Sequence, residues 1–119
     1  MTSEPAPDLT AVASMTFPDA AARLGVLVTQ VHQLVRDGQL VAQRGADGVR
    51  RIPSAFIQDG VIVKGLRAVI TLLRDARFDD DEIVSWLHRA DDSLPGTPIQ
   101  ALRENRGTEV KRRAQSAGY

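Results

Sequence analysis

The chain of 119 residues contains no cysteine, which excludes disulfide staples, thiolate metal sites and a cysteine nucleophile together. Its two histidines, His32 and His88, stand far apart, and neither has a second ligand at the spacing a zinc site requires, so no metal is expected. No run approaches the ~18 apolar residues needed to span a bilayer. The N-terminus has neither the charged nor the apolar region of a signal peptide, and the expectation is a cytoplasmic protein with no membrane partner. A Gly-rich phosphate loop, a nucleophile beside a base and a telling His–carboxylate pair are all missing. No catalytic residue and no cofactor is expected, and the protein is not read as an enzyme.

A surplus of charge is missing too, since 15 basic and 15 acidic side chains balance. As an average, this argues against strong nucleic-acid binding. The distribution says more. Residues 1–15 carry two acids and no base, whereas Thr29 to Arg51 hold four Arg (36, 44, 50 and 51) against Asp37 and Asp47, a local +2. Residues 61–97 hold five bases and seven acids, and residues 98–119 hold five bases and two acids. The positive surplus lies in one central stretch and in the last twenty or so residues, small enough to predict modest non-specific affinity for a phosphate backbone.

That central stretch, Phe17 to Pro53, organises the chain. Thr16 is placed to cap a first helix, with Asp19 three residues on and Pro18 in the first turn, where its missing N–H costs nothing. Ala21, Ala22 and Leu24 give a small apolar face, and Gly25 stands where a left-handed residue ends a helix. A second helix is predicted from about Val28 to Asp37, with Val31, Leu34 and Val35 on one buried stripe and Gly38 as its stop. Two such short helices match the helix-turn-helix pattern. Gln39–Arg44 and Val49–Pro53 are β-leaning runs around the turn Gly45-Ala46-Asp47-Gly48, a hairpin in the position of a wing.

Residues 1–15, rich in Pro, Ser, Thr and Ala, are expected to form a disordered arm carrying Thr2, Ser3, Thr10 and Ser14. Residues 16–60 form the winged helix-turn-helix, and residues 61–119 a helical extension packed on it. Within the extension, Leu66, Val69, Ile70 and Leu73 share one helix face. Asp79-Asp80-Asp81-Glu82 opens the next helix as a cap with capping-box spacing, not as a metal site. Trp86 is expected against the preceding helix. Thr97-Pro98 starts a further helix, Gly107 is expected to break it, and Thr108 to restart a last segment with Lys111, Arg112 and Arg113. The fold class is mostly α, with a small β-hairpin wing.

If Val31, Leu34 and Val35 face inward, then Thr29, Gln30, His32, Gln33 and Arg36 face out. Gln can pair with adenine, Arg with guanine, and Thr with a phosphate or a thymine methyl, the chemistry of a major-groove reader. In the wing, Arg44, Arg50 and Arg51 surround a Gly-rich tip suited to phosphate or a minor groove. Strand residues alternate faces, so of Arg50 and Arg51 one is structural. Lys111-Arg112-Arg113 is either a second phosphate contact or a solvated helix face. No heptad or dimer face stands out, and oligomeric state is left open.

The order AARLGV, then Val31, LVRDGQL and RRIP resembles the small MerR/excisionase-type winged helix. One departure is Leu27, where that family usually has a Ser or another helix cap. From residue 17 to the C-terminus, the segments LGV…V…LVRDGQLVA, IP..F, IVKGL, ITLL.D, DDEIVSWL and EVKRRAQSAGY resemble a small actinobacterial family of winged-helix DNA-binding proteins. One mycobacterial member of it is a substrate of the membrane Ser/Thr kinase PknL. The resemblance implies double-stranded DNA as partner, a regulatory role, and a Ser/Thr protein kinase that weakens binding through a threonine of the arm, here Thr10. Segments of the last third, WL…PGTPIQAL…EVKRRA, are similar to the C-terminal module of Xre/ParS-type antitoxins. That similarity implies the alternative of a protein-interaction module without significant DNA binding.

Overall fold

The computed structural model describes residues 12–90 and 96–117. Strand β1 (Ser14–Met15) leads into helices α1 (Phe17–Leu24) and α2 (Val28–Arg36). Strands β2 (Gln43–Arg44) and β3 (Arg50–Pro53) form the wing. A single 3-10 turn over Ser54–Phe56 then leads into β4 (Ile57–Gln58) and β5 (Val61–Ile62). Helices α3 (Leu66–Asp75), α4 (Asp80–Leu87), α5 (Pro98–Arg103) and α6 (Gly107–Ser116) complete the chain. This is the mostly α winged helix-turn-helix with a helical extension that the sequence predicts.

Local chemistry accounts for the helix ends. The Thr16 hydroxyl accepts from the Asp19 N–H, and Asp79 and Glu82 form a reciprocal capping box, as do Thr97 and Gln100. Four helices end alike: the residues after α1, α2, α3 and α5 turn left-handed at Gly25, Gly38, Arg77 and Asn105. In each case the next N–H reaches back five residues, as from Val26 to the Ala21 carbonyl and from Arg106 to the Ala101 carbonyl. Asn105 therefore ends α5, and Gly107, expected as the breaker, is instead the first residue of α6.

The three-stranded sheet has the order β1-β3-β2, with Met15 opposite Ile52. This corrects the expectation that the arm runs to Met15, since Met15 is buried and the Ser54 N–H donates to the Ala13 carbonyl. Two residues are too short a run to show strand periodicity. Trp86, expected against α3, is half-buried and lines a groove with Arg112, Arg113, Ser116 and Ala117 of the α6 region.

One continuous core joins the winged helix to the extension. Val31 and Val35 from α2, Ile52 from the wing and Phe56 from the 3-10 turn belong to it. So do Leu66, Val69, Ile70 and Leu73 from α3, Ile83, Val84 and Leu87 from α4, and Val110 and Ala114 from α6. His88 closes α4 with its ring 5.8 Å from that of Phe56, and burial holds its pKa below the usual imidazole value. A polar bond spans the two halves as well: Arg103 Nη1 donates to the carbonyl oxygens of Ala55 at 2.8 Å and Ile57 at 3.3 Å. Removing a charged donor from part-buried carbonyls costs on the order of 1–3 kcal/mol. Arg103→Ala is therefore expected to lower the unfolding free energy by about that much, read as a lower urea midpoint at unchanged m-value. An unchanged midpoint would show that the apolar contacts alone dock the extension.

Candidate nucleic-acid interface

Helix α2 divides as its periodicity predicts. Val31 and Val35 are buried, Leu34 is half-buried, and Thr29, Gln30, His32, Gln33 and Arg36 are exposed. The exposed side chains are not independent. Gln33 Nε2 donates to Asp37 Oδ1 at 2.9 Å while its Oε1 accepts from Arg36 Nη2 at 2.8 Å. This chain of bonds holds the Arg36 guanidinium along the helix surface. Gln30 Oε1 accepts from the Leu27 N–H at 2.9 Å, so the helix start that lacks a capping side chain is closed from inside its first turn. His32 lies against Phe17 of α1, with ring centroids 4.5 Å apart.

The wing separates its three arginines. Antiparallel pairing sets Gln43 opposite Arg51 and Arg44 opposite Arg50, so Arg44 and Arg50 share one face and Arg51 points to the other. Arg51 forks onto Asp47, with Nη2 to Oδ2 at 2.9 Å and Nη1 to Oδ1 at 3.2 Å. The Val49 N–H also donates to Asp47 Oδ1, at 3.0 Å. The Arg51 hydrogen bonds, then that of Val49, hold the Asp47 carboxyl well below the ordinary carboxylate value, at about 2. Arg51 is thus the structural member of the pair. A β-carbon at Gly45 would lie 3.1 Å from both Arg51 Nη1 and Asp47 Oδ1, so glycine leaves room for the bridge.

Arg44 and Arg50 are exposed, and Arg44 Nη1 donates to the Gly48 carbonyl at 2.9 Å, bracing the tip. The Arg50 guanidinium carbon lies 5.9 Å from the centre of the Phe17 ring, within the range of a cation–π contact. Phe17 therefore touches both His32 of α2 and Arg50 of the wing, making one surface of the two elements. Sequence reasoning missed a neighbour of that surface. Arg44 and Arg50 line an open cleft with Asp79, Asp80 and Asp81 at the start of α4. Asp79 is engaged as a cap and Asp80 accepts from Arg74 at 3.0 Å. No local signal places residues so distant in sequence together.

The Lys111–Arg113 cluster is elsewhere in the fold. It lies on α6, which packs chiefly on α3 and α5. Thr10 lies outside the described residues, but Val12 and Ser14 line a groove with Gly45, Ala46, Asp47 and Arg51, so the chain enters the fold beside the wing tip. Among the described residues, no three His, Cys, Asp or Glu side chains group as a metal site would require. No helix among them is long and apolar enough to cross a membrane.

Comparison with known proteins extends this geometry. Residues 7–57 match the family model described as DNA-binding protein Rv2175c, wHTH domain. Residues 63–118 match that described as Rv2175c C-terminal domain of unknown function. The chain belongs to the Rv2175c family. It is 38% identical over 115 residues to the DNA-binding protein Rv2175c of Mycobacterium tuberculosis (strain ATCC 25618 / H37Rv), covering 87% of this chain and 79% of that protein. The NMR structure of Rv2175c superposes with a TM-score of 0.84 at 35% identity, covering 98% of this chain and 87% of that one.

The Asp47–Arg51 bridge that shapes the wing tip in this family member gives a pH prediction. A depressed folded pKa means that the stabilisation is present above the unfolded value of 3.8 and is lost as pH falls through about 2. NMR titration of the Asp47 carboxyl carbon is expected to show a midpoint near 2. In Arg51→Ala the midpoint should move up toward the ordinary value. A wild-type midpoint at the unfolded value would mean that the bridge does not persist in solution.

Proposed function

We propose that the protein binds double-stranded DNA through α2 and the wing and acts as a transcriptional or nucleoid-related regulator. The observation that carries this reading is the continuous surface made where His32 and Arg50 meet on Phe17, which presents the polar face of α2 beside Arg44 and Arg50. The family model over residues 7–57, described as a DNA-binding wHTH domain, supports it.

In this reading α2 lies in the major groove. Arg36, oriented by Gln33, reads guanine, Thr29 meets a phosphate, and Gln30 and His32 border the base edges. Arg44 and Arg50 contact phosphates or enter the minor groove. Arg51 shapes the tip through Asp47 and touches no DNA. The arm supplies regulation. Thr10 stands two residues before Val12, which borders the wing tip. A phosphate there, added by a Ser/Thr protein kinase, brings close to two negative charges to a surface of small positive surplus.

Fluorescence anisotropy with a labelled duplex, at low and at physiological salt, tests this. Binding is expected to weaken with rising salt, with a shallow slope that reflects the few phosphates contacted. Arg36→Ala should lose about 1–3 kcal/mol of base discrimination, Arg50→Ala should weaken binding to all sequences and flatten the salt slope, and Thr10→Glu should weaken it as phosphorylation would. Absence of binding at low salt would overturn the proposal in favour of a protein-interaction module. Thr10→Glu binding as tightly as wild type would remove the switch from this residue.

A further inference from the structure

Leu27 is the most exposed large apolar side chain among the described residues, at 70%. It occupies the N-cap of α2, a position where Ser, Thr, Asp or Asn accepts a hydrogen bond from the first turn. A leucine cannot do this, and α2 manages without. The Leu27 N–H is satisfied by Gln30 Oε1 at 2.9 Å, and its carbonyl accepts from Gln30 N at 2.9 Å and Val31 N at 3.3 Å. The backbone at this position is therefore fully used, while the side chain makes little contact with the fold. Val28, the next residue, is also exposed, at 38%. Two adjacent apolar side chains thus point into solvent at the leading end of the helix whose flank carries Thr29, Gln33 and Arg36.

The N-terminal residues of a recognition helix contact base edges. Among the groups displayed in the major groove, the one apolar feature is the C5-methyl of thymine. We infer that Leu27, supported by Val28, reads thymine methyl groups, so that the preferred site carries thymine where the first turn of α2 enters the groove. Gln30 has a positioning role in this arrangement: with its Oε1 committed to the Leu27 N–H, it holds the cap closed and the leucine forward. The inference rests on the DNA-binding reading above and names a base it discriminates.

The test starts with selection of bound duplexes from a random library by the full chain. The enriched duplex is then compared with the same duplex carrying deoxyuridine for thymine, which deletes only the methyl groups. Wild type is expected to bind the deoxyuridine duplex about fourfold more weakly for each methyl contacted, the worth of one buried methylene-sized group. Leu27→Ser is expected to bind both duplexes alike. It should melt at the same temperature or higher, because serine is a preferred N-cap. Equal wild-type affinity for the two duplexes, discrimination retained by Leu27→Ser, or a marked fall in its melting temperature would each overturn the inference. Salt-sensitive binding to duplexes without any enriched thymine would overturn it while leaving DNA binding intact, whereas no binding to any duplex would overturn the reading beneath it.

Discussion

The placement of one aromatic ring governs the reading surface. Phe17 opens α1, is 7% exposed, and meets His32 from α2 and Arg50 from the wing. A short helix pair and a two-stranded hairpin are each marginal alone, and the core shared by Val31, Val35 and Ile52 holds them together. The Phe17 ring adds the contact that joins them at the surface. The Thr16 cap and Pro18 set where α1 begins, and hence where the ring lies. The orientation of the wing arginine relative to α2 therefore traces back to a local signal at the start of the first helix.

The extension completes this frame from below. Phe56 lies at zero exposure between the wing and the helices, Arg103 fastens α5 to the carbonyls around it, and α4 packs beside β2. The same packing brings Asp79, Asp80 and Asp81 to the cleft that holds Arg44 and Arg50. With Arg51 paired to Asp47, the wing offers two outward cations, and those face nearby carboxylates. Electrostatic attraction to phosphate is correspondingly small, since each neutralised phosphate contributes separately. In the proposed reading, recognition by a surface so charged draws on base contacts and on fit, which gives Arg36 and Leu27 more weight than the net charge suggests.

Much of this was legible in the sequence because it is local. The caps at Thr16, Asp79 and Thr97, the left-handed stops at Gly25 and Gly38, and the stripes Val31-Leu34-Val35 and Leu66-Val69-Ile70-Leu73 each need only residues a few positions apart. Alternation along a strand likewise showed that Arg50 and Arg51 must part, though only the Asp47 bridge tells which one is structural. Most of what escaped is tertiary. Pairing of Ser14–Met15 with β3, the Arg103 bonds and the acidic lining of the wing cleft join segments with no shared local signal, whereas the pairing of β4 with β5 is a local hairpin across Asp59-Gly60. The absent cap at Leu27 was visible, but the substitute, Gln30 reaching back from the next turn, becomes evident only in three dimensions.

In the proposed reading one surface, α2 joined to the wing through Phe17, is the face that meets DNA. Amide chemical-shift mapping of the labelled full chain, titrated with a duplex of about two helical turns at low salt, tests it most directly. Shifts are expected to be confined to α2 and to the wing around Arg44 and Arg50, with α5 and α6 unmoved. Shifts centred on Lys111 and Arg112 of α6, with α2 silent, would contradict it.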